Sequence, residues 1–358
     1  MGRILIVSIL SALAATTNPA HVSCISAVSW GDPRVDLFGV APDNSIWHKL
    51  YTGYDWQPEK FERIPSQAGS CAAASSWDYG RLDLVWVNET DGNVLHKFFD
   101  GGNWGPSWGE AINLGGHLDL AQTHSWGKGR LDIVGIADNG SYMHKAWTGG
   151  NFSSAPNIGS WGQDRLGVHK YWGGKKWSDW EDLKGGPFIG DPTISSWGSE
   201  RLDIWTLDKH GVLNHKFWDG SQWNGLEQLG GKFLQTPQVV HWSKGKIDVV
   251  GKNFDDQKFY IKSFDGFKWN PSAEGWYDLS GPYSSEPRLI AKARGQNFLY
   301  LFGIDTDGIA RMQIWSGYEW QPSAQETWPL GNVSKPYLDK AYNGFIPEAQ
   351  HVLPGPEL

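Results

Sequence analysis

The chain has 358 residues and a net charge of −8, and it combines 23 Trp and 45 Gly with 2 Cys. An aromatic content of 14% excludes a disordered chain, and two cysteines cannot form a disulfide-dense scaffold. The acidic balance disfavours nucleic acid and anionic membranes as partners, because basic surfaces bind both. The composition predicts an all-β protein whose strands are separated by glycine-rich turns.

The first residues have the pattern of a secretory signal. Arg3 precedes an apolar run over residues 4–15, and Ala12 and Ala14 are typical of a cleavage site. The run is too short to span a bilayer, so no membrane insertion is expected. We predict a signal peptide over residues 1–20 and secretion to the extracellular space; the alternative is a buried N-terminal strand. Four glycosylation sequons agree with this route: Asn88, Asn139, Asn151 and Asn332.

A composite motif recurs from residue 25 to residue 335. A complete copy has a Ser-Trp pair, an Arg-Leu-Asp segment, a His-Lys pair and a Gly-x-x-Trp turn, and some copies replace or lack one or more of these elements. Uninterrupted copies are 45 to 49 residues apart, which predicts a β-propeller with one four-stranded sheet per blade. We count seven repeats, the last degenerate over about 288–330, and predict seven blades. Residues 336–358 are predicted to be a C-terminal tail. Six copies open at Trp30, Trp77, Trp126, Trp161, Trp197 and Trp242.

The repeat is interrupted in its fourth copy, around residues 150–170. Trp126 and Trp197 are 71 residues apart, whereas two periods of 47 require 94. One interpretation is that the printed chain lacks about 23 residues; the other is that the ring contains an incomplete blade. We favour the first, because half a blade would leave strand edges unpaired.

The repeat also relates the two cysteines. Cys24 lies six residues before Trp30, and Cys71 lies six residues before Trp77. Equivalent inner strands of neighbouring blades approach one another near the ring axis, so a disulfide between the two is predicted for an oxidising compartment. The alternative is a pair of buried thiols.

The sequence contains no recognisable catalytic, phosphate-binding or metal-binding motif. A catalytic site uses a few residues once, whereas here one polar constellation recurs from copy to copy, as a multivalent binder requires. We therefore predict a binding protein that is not an enzyme and uses no cofactor. Two alternatives remain: a glycoside hydrolase, because the Asp-Gly-x-x-Trp turn loosely resembles the Asp-box of sialidases, and a propeller scaffold that binds proteins.

The ordered series Ser-Trp-Gly, Arg-Leu-Asp, Asp-Gly, His-Lys and Trp-Asp-Gly resembles the PLL-like seven-bladed propeller lectins over residues 25–330. It is similar, more distantly, to the six-bladed fungal fucose lectins. The resemblance implies sugar sites in clefts between adjacent blades, with a preference for fucose or related, sometimes O-methylated, sugars. Fucosylated glycans or glycoproteins are the expected partners, and an oligomer remains open. Ile261 departs from the pattern, because it stands where five copies have His.

The candidate sugar-binding residues are those that recur in the motif. An indole covers the apolar face of a sugar ring, while Arg and His side chains bond its hydroxyls. Each position also has a structural alternative: packing between blades for the tryptophans, and an Arg–Asp pair two residues apart on one strand face for the arginines. The candidates are Trp30, Arg34, His48, Trp56, Trp77, Arg81, His96, Trp104, Trp126, Arg130, His144, Trp197, Arg201, His215 and Trp223.

Overall fold

The computed structural model describes residues 24–31, 33–125, 128–137, 141–147, 152, 157–160, 168–169, 181–183, 187–198, 201–291 and 298–334. The predicted signal peptide and C-terminal tail lie outside these residues. Every regular element in the described residues is a β-strand. Among these residues, no helix has the length and apolar character needed to cross a bilayer.

The first three sheets are antiparallel and follow the order of the chain. Blade 1 consists of β1 (Ile25–Gly31), β2 (Arg34–Val40), β3 (Ile46–Tyr51) and β4 (Trp56–Ile64). Blade 2 consists of β5 (Ala73–Ser75), β6 (Leu82–Val87), β7 (Asn93–Phe99), β8 (Trp104–Gly105) and β9 (Ile112–Gly116). Blade 3 consists of β10 (Leu118–His124), β11 (Leu131–Ala137), β12 (Ser141–Trp147) and β13 (Asn157–Ser160).

A two-stranded ladder and three further sheets follow. The ladder pairs β14 (Val168–His169) with β15 (Glu181–Asp182). Blade 4 consists of β16 (Phe188–Ser195), β17 (Leu202–Asp208), β18 (Leu213–Trp218) and β19 (Glu227–Gln228). Blade 5 consists of β20 (Gln238–Ser243), β21 (Lys246–Lys252), β22 (Phe259–Phe264), β23 (Trp269–Asn270) and β24 (Tyr277–Asp278). Blade 6 consists of β25 (Arg288–Ala291), β26 (Leu299–Ile304), β27 (Ile309–Trp315), β28 (Trp320–Gln321) and β29 (Trp328–Asn332).

The sheets form a closed ring. Blades 1 and 6 share one hydrophobic core, in which Trp47, Trp56 and Tyr51 pack with Tyr300 and Phe302. One axial cavity is lined by residues of the innermost strand of all six blades. The second strand of blades 1 and 2 is buried along almost its whole length, because each sheet is covered on both faces by its neighbours. The protein is therefore a β-propeller, as predicted.

The predicted number of seven blades is wrong. The described residues form six blades, since six innermost strands surround the axial cavity. In the fourth copy of the repeat, they form only the ladder of β14 and β15. The choice between missing residues and an incomplete blade falls mostly outside the described residues.

Repeated serine and lysine side chains donate hydrogen bonds to backbone carbonyls of their own blade. The Oγ of Ser29 donates to the carbonyl of Arg34 across the β1–β2 turn, and Ser196 bonds Arg201 in the same way, each at 2.6 Å. In blades 1, 2 and 5 the lysine at the position of the His-Lys pair is buried and donates to carbonyls that follow the third strand. Lys49 bonds Pro58 and Glu59, Lys97 bonds Ser107, Trp108 and Glu110, and Lys262 bonds Ser272 and Ala273. These lysines are therefore structural.

The inner strands of blades 1 and 2 are covalently joined. Cys24, next to β1, forms a disulfide with Cys71, next to β5, and their Cα atoms are 5.9 Å apart. The bond closes a loop of one repeat, 47 residues. It therefore holds the first two blades together at their innermost edge.

Candidate functional site

The Arg, Asp and His of the repeat form one buried cluster in each of three blades, which we call the lock. In blade 1, Nε of Arg34 donates to Oδ2 of Asp36 at 2.7 Å, and Nε2 of His48 lies 2.8 Å from Oδ1 of the same aspartate. Nδ1 of His48 lies 2.7 Å from Glu62. The lock of blade 2 is Arg81, Asp83 and His96, and that of blade 4 is Arg201, Asp203, His215 and Glu227.

The lock stabilises the negative charge of a buried aspartate, because an arginine and a histidine both bond its carboxylate. Burial alone would raise the pKa of Asp36, but hydrogen bonds from His48 and Arg34 outweigh it and lower the pKa. Burial alone would lower the pKa of His48, but Asp36 and Glu62 raise it instead. The aspartate is therefore ionised and saturated with donors at neutral pH.

The guanidinium of each lock lies over aromatic rings and occupies the space beside the first two strands. Arg34 stacks on Trp30 at 4.1 Å and on Phe99 of blade 2 at 5.4 Å. Arg201 stacks on Trp197 at 4.1 Å and on Phe217 at 3.7 Å. Arg81 lies in the same way over Trp77 and Phe98. These cation–π contacts hold each guanidinium against the aromatic rings beside it.

The histidines of the locks are also enclosed. His48 is 1% exposed and meets the edge of Trp104 from blade 2 at 5.8 Å. His215 is 2% exposed and meets Trp269 from blade 5 at 6.1 Å in the same edge-on geometry. His96 is buried as well, and its Nδ1 has no partner among the described residues. The three imidazoles are thus placed for packing between blades.

The structure places the remaining sequence-predicted residues as follows. Trp56 is buried in the core between blades 1 and 6, whereas Trp104 and Trp223 are half-buried. Arg130 has the lock register in blade 3, since Leu131 pairs with Trp147 as Leu202 pairs with Trp218. Trp126 and the side chain of His144 lie outside the described residues. Sugar binding by the repeated residues therefore stays a prediction.

Blade 5 lacks two members of the lock. Lys246 stands in the position of the arginine, and its Nζ bonds the carbonyl of Asp265. Ile261 pairs with Val250, the register that His48 has with Phe38, so the imidazole is absent. Asp248 keeps its place and accepts hydrogen bonds from Nε1 of Trp242 and Oγ of Ser263. The space that the guanidinium and imidazole fill elsewhere is open here.

This space is a cleft of about 1060 Å³ between blades 5 and 6, which we call the 5/6 cleft. Trp315 and Trp320, with ring centroids 5.8 Å apart, form its wall on blade 6. Tyr277, 57% exposed, lies at its rim. Nε2 of Gln325 reaches across from blade 6 to the carbonyl of Asp278. Polar groups line the opposite side: Ser243, Lys246, Asp248, Ser263, Asp265 and Asp278.

The pKa of Asp248 reflects the absence of the arginine and histidine that bond the aspartate in the locks. Burial raises its pKa to about 6, although Ser263 and Trp242 donate hydrogen bonds to it. Asp203, at the same strand position in blade 4, has a lowered pKa, because its bonds from His215 and Arg201 outweigh burial. The difference follows from the replacement of the Arg201 guanidinium and the His215 imidazole by two neutral donors.

Sequence reasoning missed the residues that line this cleft. The sequence analysis selected residues of the copies that match the repeat best. In those copies the arginine and histidine pack against aromatic rings. The available signal was the simultaneous loss of arginine and histidine in a single copy, at Lys246 and Ile261. Trp315 and Trp320 of the degenerate last copy face the space that this loss opens. Among the described residues, no group of His, Cys, Asp and Glu could hold a metal ion.

Three solved structures that share this fold are described as lectins. BP39L lectin from Burkholderia pseudomallei has a TM-score of 0.70 and 14% identity, covering 87% of this chain and 99% of its own. The chain therefore shares the β-propeller fold of this lectin. SapL1 lectin, solved with α-methyl fucoside, has a TM-score of 0.52 and 15% identity, covering 87% and 98%. The six-bladed fucose-recognising lectin of Aleuria aurantia has a TM-score of 0.50 and 16% identity, covering 87% and 97%.

No family model and no curated protein matches the chain. At these identities the likeness of the solved structures concerns the fold. The six blades agree with the Aleuria aurantia lectin, which is described as six-bladed.

Proposed function

We propose that this protein is a carbohydrate-binding lectin that recognises fucose or a related sugar, with the 5/6 cleft as its principal site. The observation that carries the proposal is the composition of that cleft. The indoles of Trp315 and Trp320 on blade 6 face a row of carboxylates, hydroxyls and one ammonium group on blade 5, where the indole of Trp242 and the phenol of Tyr277 also line the cleft. A sugar has one apolar C–H face and a rim of hydroxyls, so it fits such a cleft with one side on each wall.

The fold of the solved lectins supports the proposal, and so does the fucoside bound in one of them. Fucosylated glycans are the proposed partners. Binding at the junctions that carry the locks stays a prediction, which the stoichiometry of a titration tests. Secretion is likewise proposed, and the disulfide supports it because disulfides persist in oxidising compartments.

A titration of the full chain with α-methyl-L-fucoside, together with a glycan array, tests the proposal. We expect Tyr277→Ala to weaken binding about fivefold, because loss of one aromatic contact is worth about 1 kcal/mol. Tyr54→Ala is the matched control, since Tyr54 is 73% exposed and is not among the residues lining the cleft. Absence of binding to every glycan on the array would contradict the lectin assignment.

The alternative of a glycoside hydrolase rests on one observation, the raised pKa of Asp248 in an open cleft. Hydrolases of that type use a pair of carboxylic groups, one of them a proton donor. Here both carboxylate oxygens of Asp248 accept hydrogen bonds from its neighbours, so we propose that this group supports the cleft wall. Release of free sugar from a bound glycan, abolished by Asp248→Asn, would instead establish the hydrolase.

A further inference from the structure

The axial cavity of the propeller, about 270 Å³ in volume, is polar and asymmetric. One position of each innermost strand contributes to it, the residue paired with the fifth residue of the Arg-Leu-Asp strand, counted from the arginine position. Five of the six side chains at this position are neutral, and the sixth is the guanidinium of blade 6. The six residues are Ser26, Ala73, Gln122, Thr193, Gln238 and Arg288.

Arg288 uses part of its guanidinium to close the ring. Its Nε donates to the carbonyl of Ile25 in blade 1 at 2.7 Å, and Nη1 has a long contact of 3.5 Å with Pro287. The hydrogen bonds of the described residues leave Nη2 without an acceptor. A guanidinium has five N–H donors, so this side chain presents spare donors to the cavity it lines.

The one acidic group among the described residues of this cavity is already engaged. Oε1 of Glu286 lies 3.2 Å from Nζ of Lys252, which is 10% exposed. Two cations, Lys252 and Arg288, therefore share one carboxylate in the interior of the ring. Burial raises the pKa of Glu286 and lowers that of Arg288, because each charge is only partly compensated.

A partly buried excess of positive charge needs an anion, and the surrounding groups can donate to one. The amides of Gln122 and Gln238 line the same cavity as Arg288. The volume is several times the roughly 30 Å³ that one water molecule occupies in the liquid, so an anion with part of its hydration shell fits.

We propose that the axial cavity binds a small inorganic anion of the size of chloride or phosphate, with Arg288 as its principal ligand. The bound anion completes the charge balance where blade 6 meets blade 1, and the site is separate from the 5/6 cleft. Because the cavity exists only in the closed ring, the anion binds the folded state and stabilises it.

Thermal unfolding of the full chain tests this proposal, with chloride or phosphate exchanged for gluconate at constant ionic strength. We expect the melting temperature to rise with the logarithm of the concentration of the bound anion. Arg288→Gln should abolish that dependence. Glu286→Gln should strengthen it, because it removes the competing carboxylate. The matched control is Lys232→Gln, which removes the cation of an exposed ion pair with Asp255 and should leave the dependence unchanged.

The outcomes separate a binding site from general salt effects. Equal responses in wild type, Arg288→Gln and Lys232→Gln would overturn the proposal, and so would a wild-type response that is flat in both anions. If Arg288→Gln fails to fold, Glu286→Gln carries the test, because a merely structural carboxylate would not increase anion affinity when removed. Crystals soaked in bromide should show anomalous density in the axial cavity; bromide bound only elsewhere would contradict the proposal.

Discussion

The same substitution at one strand position should have opposite effects in two blades. Asp203 in blade 4 is 0% exposed and is held by Arg201, at 2.8 Å between Nε and Oδ2, and by Nε2 of His215 at 2.7 Å. Asp203→Asn removes the negative charge and leaves a guanidinium without its counter-ion. Breaking a buried pair in this way costs about 3–5 kcal/mol. We expect the melting temperature to fall by roughly 5–10 °C or more.

Asp248, at the same position in blade 5, provides the comparison. Its pKa rises from 3.8 to about 6 on folding. A carboxylic acid with a raised folded-state pKa favours the folded state when protonated, so its contribution is lost as pH rises from about 4 through about 6. At pH 8 ionised Asp248 destabilises the fold by about 3 kcal/mol, from 1.36 kcal/mol per pKa unit. Asp248→Asn removes that penalty and loses one hydrogen bond, worth about 1 kcal/mol.

The assay is thermal unfolding of both variants and of wild type at pH 4.5 and pH 8, followed by tryptophan fluorescence. We expect Asp203→Asn to be destabilised at both pH values, and Asp248→Asn to be as stable as wild type or more stable at pH 8. An equal loss of stability in the two variants at pH 8 would refute the idea that the lock sets the charge state of this position. So would an Asp203→Asn variant with the melting temperature of wild type.

Two further predictions concern packing and the buried lysines. A Cβ on Gly303 would lie 2.6 Å from a phenylalanine ring of blade 5, so Gly303→Ala should lower the free energy of unfolding by about 1–3 kcal/mol. Gly109→Ala, where nothing lies within 4 Å, should change it by less than about 0.5 kcal/mol in the same denaturant titration. Lys262→Gln should be tolerated, because Gln313 bonds the equivalent loop carbonyls in blade 6. Lys262→Met leaves those carbonyls without a donor and should cost about 1–3 kcal/mol; equal melting temperatures for the two Lys262 variants would show that the carbonyls need no donor.

Much of the fold was predictable because it is local and repeated. A period of 45 to 49 residues with turn glycines specifies one antiparallel sheet per repeat, and each sheet needs only its own strands to form. The lock was partly predictable too. Arg34 and Asp36 lie two residues apart on one strand, so their pairing follows from the alternation of side chains. The sequence shows that the fourth copy is short, but the length of this copy does not determine the number of blades in the ring.

The candidate site was less predictable, because its features depend on neighbouring blades. The sequence predicts His48 as a sugar ligand, but it does not show that Trp104 of the next blade packs against this buried imidazole. The loss of the same residue type at Ile261 had no evident meaning until Trp320 was found beside the space it leaves. A repeat shows which residues are used in every blade, and these are mostly the residues that hold the blades together.

By itself, then, the sequence determined the secondary structure of each repeat, the propeller class and the internal equivalence of residues such as Cys24 and Cys71, because these depend on contacts within one period. Only the tertiary structure decided that the ring has six blades, that the Arg, Asp and His of three repeats fill the space between blades, and that the 5/6 cleft is open. The physical reason is that blade number, burial and cleft shape are properties of the closed ring. These properties depend on contacts between residues far apart in the chain. One example is the hydrogen bond from Nε of Arg288 to the carbonyl of Ile25, 263 positions away.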